Sequence, residues 1–276
     1  MRTLRYILLL GASCAFGQSS LQSGSAGVPN PNIAAFPAPP SGAVIVPNLQ
    51  AQPSSNWVSL GGSAPSGGSN TGSVGVTFNN ASPSLTGNAI NLQANGNGYN
   101  VQTFNPQGCA IFAGALCTSF SHVTLDGYIY IPSSSTPLQG LEGPNVSIYT
   151  GSYLLYPSMQ CGTNAGSSTP AVPTWNLWDS NNWISLNISC AAFLTRTDVW
   201  QHIQVRYDVN FAATPPTYTY NTMHVQNTPI YTTLARTYAA SAFSGGANVK
   251  PQFQVDSQNV STLARFYFDQ FTAAFF

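Results

Sequence analysis

From about Leu49 onward, short runs rich in Val, Ile, Thr, Tyr and Phe alternate with clusters of Gly, Asn, Ser and Pro, and no stretch keeps a helical period. Two runs alternate cleanly. In the segment 122–131, Val123, Leu125, Ile129 and Ile131 fall on one face, while His122, Thr124, Asp126, Tyr128 and Tyr130 fall on the other. In the segment 200–209, Ile203, Val205, Tyr207 and Val209 oppose Trp200, His202, Gln204, Arg206 and Asp208. A period of two turns the aliphatic face to a core and the mixed face outward. Between Cys161 and Cys190 lie Trp175, Trp178 and Trp183, and the turn-rich Ser180-Asn181-Asn182 makes Trp175 to Trp178 and Trp183 to Leu186 the arms of a hairpin. Trp175 and Leu177 share one face of it, leaving Trp178 beside Asp179 as the better exposed platform. Phe253, Val255 and the run from Phe266 to Phe276 read as a closing strand. The pattern predicts one antiparallel all-β sandwich or barrel over residues 49–276.

The stretch ahead of it is different. Residues 1–17 have a basic start (Arg2, Arg5), an apolar run from Tyr6 to Ala12 and the small-residue end Ala15-Phe16-Gly17, the grammar of a secretory signal peptide. A lipid anchor at Cys14 is the lesser alternative, because Gly11-Ala12-Ser13-Cys14 is a poor lipobox. Residues 18–48 hold Ser, Gly, Pro and Ala without a charge, too few apolar groups to offset ordering entropy, and read as a flexible tether. No later run is long and apolar enough for a membrane span, which takes about 20 residues.

Charge narrows the function. Charged residues make up 5% of the chain, against about 25% in ordinary globular proteins. Glu142 is the single glutamate. The formal net charge is zero, which removes the basic stripe a nucleic-acid partner requires. A surface of neutral hydrogen-bonding groups suits a secreted protein that meets a neutral ligand. Cys109, Cys117, Cys161 and Cys190 remain after signal cleavage. An even number in a secreted chain argues for disulfides. Of the three pairings, Cys109–Cys117 and Cys161–Cys190 are favoured because each closes a local, turn-rich loop. His122, His202 and His224 have no paired metal-ligand spacing.

Two sets of side chains could meet a ligand. Trp178, Asp179 and Trp183 would present a rigid aromatic hairpin. Tyr128, His202, Gln204 and Arg206 would supply stacking and hydrogen bonds from the outward strand faces. If those strands line a groove, it would hold a polysaccharide. The bland alternative is a solvated face on which Arg206 and Asp208 form a surface ion pair of little energetic weight.

The text Trp175-Asn-Leu-Trp-Asp-Ser-Asn-Asn-Trp183, the preceding Gln160-Cys161-Gly162, the later Cys190, then Trp200-Gln-His-Ile-Gln-Val-Arg-Tyr-Asp208 and the closing Phe266-Tyr-Phe-Asp-Gln-Phe-Thr272 resemble a group of secreted acidobacterial-type domains. Those domains look like concanavalin A-like jelly rolls, related in shape to laminin-G-like and glucanase domains. The resemblance runs from about Asn48 to Phe276 and implies a jelly-roll sandwich and secretion. It implies no settled activity. Related jelly rolls can hold a structural calcium ion with a carboxylate of the closing strand, which makes Asp269 the candidate metal ligand. Where such domains have L-E-F-D, this chain has Leu141-Glu142-Gly143-Pro144, so the acidic pair of that strand is halved.

That departure weighs against hydrolysis. A retaining glycosidase needs two carboxyl groups about 5–5.5 Å apart, and no strand here carries a pair at suitable spacing. Alginate-lyase-like jelly rolls work with Gln, His, Tyr and Arg, a set that His202, Gln204, Arg206 and Tyr128 could imitate, although the expected Q-I-H order is replaced by Gln201-His202-Ile203. The reading favoured is a non-catalytic domain that binds a neutral polysaccharide. The alternatives are a structural or adhesive surface protein, and a divergent lyase or hydrolase.

Overall fold

The computed structural model describes residues 38–61, 74–104, 119–135, 138, 140–162, 172–226 and 228–276. All of these residues fall in one compact unit. Cys109 and Cys117, and with them their expected disulfide, lie outside the described residues, as do the segment 1–17 and most of the tether.

The strands in order are β1 (Val44–Val46), β2 (Trp57–Gly61), β3 (Val74–Asn80), β4 (Ala89–Phe104), β5 (His122–Tyr130), β6 (Gly140–Tyr149), β7 (Tyr153–Leu155), β8 (Met159–Gly162), β9 (Thr174–Trp178) and β10 (Trp183–Ser189). After one short helix, α1 (Ala191–Thr195), come β11 (Trp200–Asn210), β12 (Thr217–Val225), β13 (Thr228–Ala239), β14 (Ser241–Ala242) and β15 (Asn248–Phe275). Every pairing is antiparallel, and the main path runs β10-β9-β8-β6-β15-β5-β11-β12-β13. Among the described residues no helix is long and apolar enough to cross a membrane.

Two long strands join the layers. The first part of β15 pairs with β6 through Asn248–Tyr149 to Asp256–Gly140, and its last part pairs with β5 through Tyr267–Tyr130 to Phe275–Val123. β4 runs beside β15 from Phe268–Ile90 to Gln252–Thr103. One layer therefore holds β10, β9, β8, β6, the start of β15, the end of β4, and β2. The other holds β13, β12, β11, β5, the end of β15, the start of β4, and β3. The result is an all-β sandwich.

The core lies between the layers. Phe253, from the start of β15, stacks on Phe268, from its end, at 4.1 Å and 17°. Phe271 meets Phe253 edge-on at 4.6 Å. Gly127 makes room for that ring, because a Cβ there would lie 2.5 Å from Phe271. Tyrosines pin the layers. Tyr207 Oη donates to the Pro144 carbonyl at 2.8 Å. Tyr220 Oη accepts the Ser158 N–H at 2.9 Å and sits 2.8 Å from both the Ser158 and Trp178 carbonyl oxygens. Both tyrosine hydroxyls thus have the partner that burial demands.

The domain starts earlier than the expected boundary at residue 49. Val44, Ile45 and Val46, placed in the tether by composition, pair with Phe275, Ala274 and Ala273. Three residues are too short a run to stand out beside the prolines around them. The Cys161–Cys190 disulfide forms as expected, and Trp175 beside it is buried against Phe193 at 5.2 Å.

Candidate functional site: an aromatic and polar strand face

β11 alternates half-buried and buried residues along nearly its whole length. Its outward residues line up with those of β5: Trp200 opposite Tyr130, His202 opposite Tyr128, Gln204 opposite Asp126, Arg206 opposite Thr124, and Asp208 opposite His122. The face expected from the alternation of the two strands is therefore one continuous surface.

Aromatic rings occupy one end. Trp200 and Tyr130 lie 5.3 Å apart at 50°, and Tyr267 meets Tyr130 edge-on at 6.1 Å. One row further, Tyr128 stacks on His202 at 4.7 Å and 22°. Tyr128, Tyr130, Trp200 and His202 are all half-buried. Burial, and then the nearby Asp126 carboxylate, push the Tyr128 hydroxyl pKa up, so it stays a neutral donor.

Asp126 organises the centre. Gln204 Nε2 donates to its Oδ2 at 2.7 Å, and His202 Nε2 lies 2.7 Å from its Oδ1. An ionised carboxylate only accepts, so that nitrogen carries the proton. The Asp126 side chain remains 42% exposed, leaving acceptor capacity toward solvent. His224, across the sheet from Gln204, has its pKa lowered by burial and then by His202.

The far end is an ionic cluster. Asp208 Oδ1 accepts from Arg206 Nε at 3.1 Å and Oδ2 accepts from Asn221 at 2.6 Å, while His122 Nδ1 lies 2.6 Å from Asp208 Oδ1 and 2.9 Å from Arg206 Nη2. Burial would raise the Asp208 carboxyl, but these donors together outweigh it and hold the carboxyl below its ordinary range. The Arg206 guanidinium also lies 5.7 Å over the Phe276 ring. A lyase site of the kind anticipated needs His202, Arg206 and a tyrosine at one point. Tyr128 and His202 do meet, but Arg206 belongs to the Asp208 cluster.

The tryptophan hairpin forms with the expected arms, in the other layer. Trp178 and Trp183 face each other across it at 5.3 Å, and both are half-buried. Asp179, expected to contact a ligand, also organises the turn. Its Oδ1 accepts the N–H groups of Asn181 at 2.8 Å and Asn182 at 2.6 Å, which closes the turn. The seven residues expected to bind ligand thus divide between two layers: Trp178, Asp179 and Trp183 on one, Tyr128, His202, Gln204 and Arg206 on the other.

Asp269 is buried, and donors surround it. Its Oδ2 accepts from Ser84 Oγ (2.6 Å), Leu85 N (2.6 Å) and Thr86 N (3.1 Å), and its Oδ1 accepts from Thr86 Oγ1 (2.7 Å) and Gln270 N (2.7 Å). Calcium requires six to eight oxygen acceptors. A ring of N–H and O–H groups is the wrong environment for a cation, so the expected calcium role of Asp269 does not fit. The carboxylate instead fastens the turn before β4 to β15. Among the described residues no group of three His, Cys, Asp or Glu side chains could hold a metal.

A third cluster escaped the sequence reading. Glu142 on β6 and Asp256 on β15 are 6% and 5% exposed, on the outward side of the tryptophan layer. Gln254 Nε2 donates at 2.8 Å to Glu142 Oε1 and at 2.8 Å to Asp256 Oδ1, and Gln160 Nε2 donates to Asp256 Oδ2 at 3.0 Å. The acidic pair thought halved within one strand is completed from the neighbouring one. Gly140 permits the approach, since a Cβ there would lie 2.9 Å from both Asp256 Oδ2 and Gln160 Nε2. Burial, then the opposing carboxylate, raises Glu142 well above the usual range. Burial pushes Asp256 up to about 6, against the Gln254 and Gln160 hydrogen bonds.

No family model matches this chain, and no curated protein matches it. Among solved structures it is similar to the carbohydrate recognition domain of Emp47p, at 12% identity and TM-score 0.41, over 84% of this chain and 94% of that one. It is similar to the alginate lyase vAL-1 from Chlorella virus, at 11% identity and TM-score 0.43, over 80% and 94%. It is also similar to the binding domain of botulinum neurotoxin serotype C1, at 13% identity and TM-score 0.35, over 74% and 42%. Likenesses this distant leave the fold to be read from its own strands.

Proposed function

We propose that this is a secreted, non-catalytic domain that binds a neutral polysaccharide on the outward face of β5 and β11. The observation that carries the reading is the juxtaposition of Trp200, Tyr130, Tyr128 and His202 with Asp126 and Gln204 on adjacent rows. Sugar rings offer apolar C–H faces to such rings, and their hydroxyls both donate to Asp126 and accept from the amide. Preset rings lose little side-chain freedom on binding. With zero formal net charge on the chain, a neutral ligand is the natural match. Residues 1–17 would direct export, and the segment that follows would space the domain from its attachment.

Affinity electrophoresis of the full chain through gels containing a panel of neutral polysaccharides tests this. Trp200→Ala and Trp178→Ala run beside the wild type. Retardation on a glycan that is lost in Trp200→Ala and kept in Trp178→Ala is the expected result. Loss only in Trp178→Ala moves the site to the hairpin, and no retardation on any glycan ends the reading. A structural or adhesive role is the second reading, favoured by β13, which is twelve residues long and ends the main strand path. Such an edge is a template for strand addition. Concentration-dependent assembly in sedimentation velocity would support it.

A further inference from the structure

Away from the face assigned above, the tryptophan layer carries a cavity of about 490 Å³ lined by Tyr149, Phe243, Gly246, Ala247, Asn248 and Lys250. That size lies within the range of small-ligand sites, about 300–1,000 Å³. Its walls are held in place. Phe243 N donates to the Ser152 carbonyl at 2.8 Å, Gly245 N donates to the Gly151 carbonyl at 3.3 Å, and Ser241 pairs with Leu154. The Phe243 ring lies so close to the chain that a Cβ on Gly245 would come within 2.6 Å of it. Tyr149 packs against Phe243 at 4.7 Å and 58°.

Lys250 is the only lysine in the chain. Its Nζ stands 4.9 Å from the centre of the Tyr149 ring. The ion pairs of the described residues join His122, His202 and Arg206 to aspartates, and among those residues no carboxylate pairs with Lys250. A cation poised over an aromatic wall of a preformed cavity, without a counter-ion among the described residues, presents a recognition chemistry: one negative group beside a flat apolar ring.

We infer that this cavity binds a carboxylated sugar, with the carboxylate on Lys250 Nζ and the pyranose ring against Tyr149 and Phe243. The inference goes beyond the neutral-glycan reading and uses no residue of that face. An ammonium group is a compact point charge and imposes no bidentate geometry. It suits a freely turning exocyclic carboxylate.

Isothermal titration calorimetry of the full chain with trigalacturonate, the matching neutral trisaccharide and inorganic phosphate tests it. Trigalacturonate should bind about tenfold more tightly than the neutral trisaccharide, the worth of one charged hydrogen bond, and more weakly as salt rises. Phosphate should bind far more weakly, because it leaves the rings unused. Lys250→Ala should reduce trigalacturonate to the affinity of the neutral sugar, and Lys250→Arg should keep most of the binding. Gly246→Leu should abolish it, since a Cβ at Gly246 meets nothing within 4 Å and the side chain can enter the cavity without disturbing the fold. Trp200→Ala should leave trigalacturonate binding intact, so failure of the neutral-glycan site and failure of this one are separable. The inference is overturned by absence of binding, by equal affinity for the neutral trisaccharide or phosphate, or by wild-type affinity in Lys250→Ala.

Discussion

The two outward faces of the sandwich use similar side chains to opposite effect. On β5 and β11, Asp208 meets His122, Arg206 and Asn221, and its side chain is still 29% exposed. On β6 and β15, the hydrogen bonds to Glu142 and Asp256 among the described residues come from Gln254 and Gln160, and both carboxyl groups are almost wholly buried. Cationic and amide donors in a half-wet setting favour the carboxylate. Amide donors alone, in a dry one, leave the neutral acid favoured. The face proposed to take a ligand is the one whose charges are already compensated.

The largest effect that would break this comparison is loss of the bridging amide. Gln254→Leu removes the donor shared by both buried carboxyl groups and should cost about 3 kcal/mol in urea denaturation at neutral pH. A cost below about 1 kcal/mol would mean that the pair does not depend on the bridge.

The pH response comes next, and its sign differs between the faces. Glu142 and Asp256 have raised values in the folded state, so between the ordinary aspartate value of 3.8 and about 6 the folded chain binds more protons than the unfolded chain. Their contribution to stability is complete at low pH and is lost as pH rises through the folded values. Each group can contribute a slope of at most about 1.4 kcal/mol per pH unit. Glu142→Gln with Asp256→Asn should flatten the fall of stability over that window in denaturation curves taken at a series of pH values. A wild-type curve that rises across the window would overturn the assignment. Asp208 behaves in reverse: its folded value is lowered, so its contribution is present above the ordinary carboxylate range and disappears as pH falls. Asp208→Asn should therefore alter only the acid limb, and by less. The smallest effect belongs to Arg206→Lys. The pair is partly exposed, and losing the Nε bond while keeping the charge should cost about 0.5 kcal/mol.

Much of the candidate surface was legible because it is built from alternation within single strands. Val123 to Ile129 and Ile203 to Val209 are buried as their period of two requires, and the Trp178–Trp183 hairpin follows from its turn residues. Trp200 falls on the same outward face by the same rule. Asp269 misled because a carboxylate beside aromatics looks alike whether it awaits a ligand or receives backbone donors. The buried acid pair was invisible for a different reason. Glu142 and Gln254 are 112 residues apart, and their meeting depends on the register of β6 with β15, which no local pattern encodes.

The pairing of β1 with the end of β15 has a mechanical consequence. Val44 lies opposite Phe275 and Val46 opposite Ala273, so the chain enters and leaves the sandwich at one corner. A load pulling those two ends apart meets the three rungs one after another, as a zipper, and never in parallel shear. A load entering at β1 and leaving through the glycan proposed for β5 and β11 would instead pass through β15 and its seven-rung seam with β5. The same domain should yield softly when stretched between its own ends and resist strongly when stretched between its N-terminal side and its ligand, a contrast that single-molecule pulling in the two geometries would register.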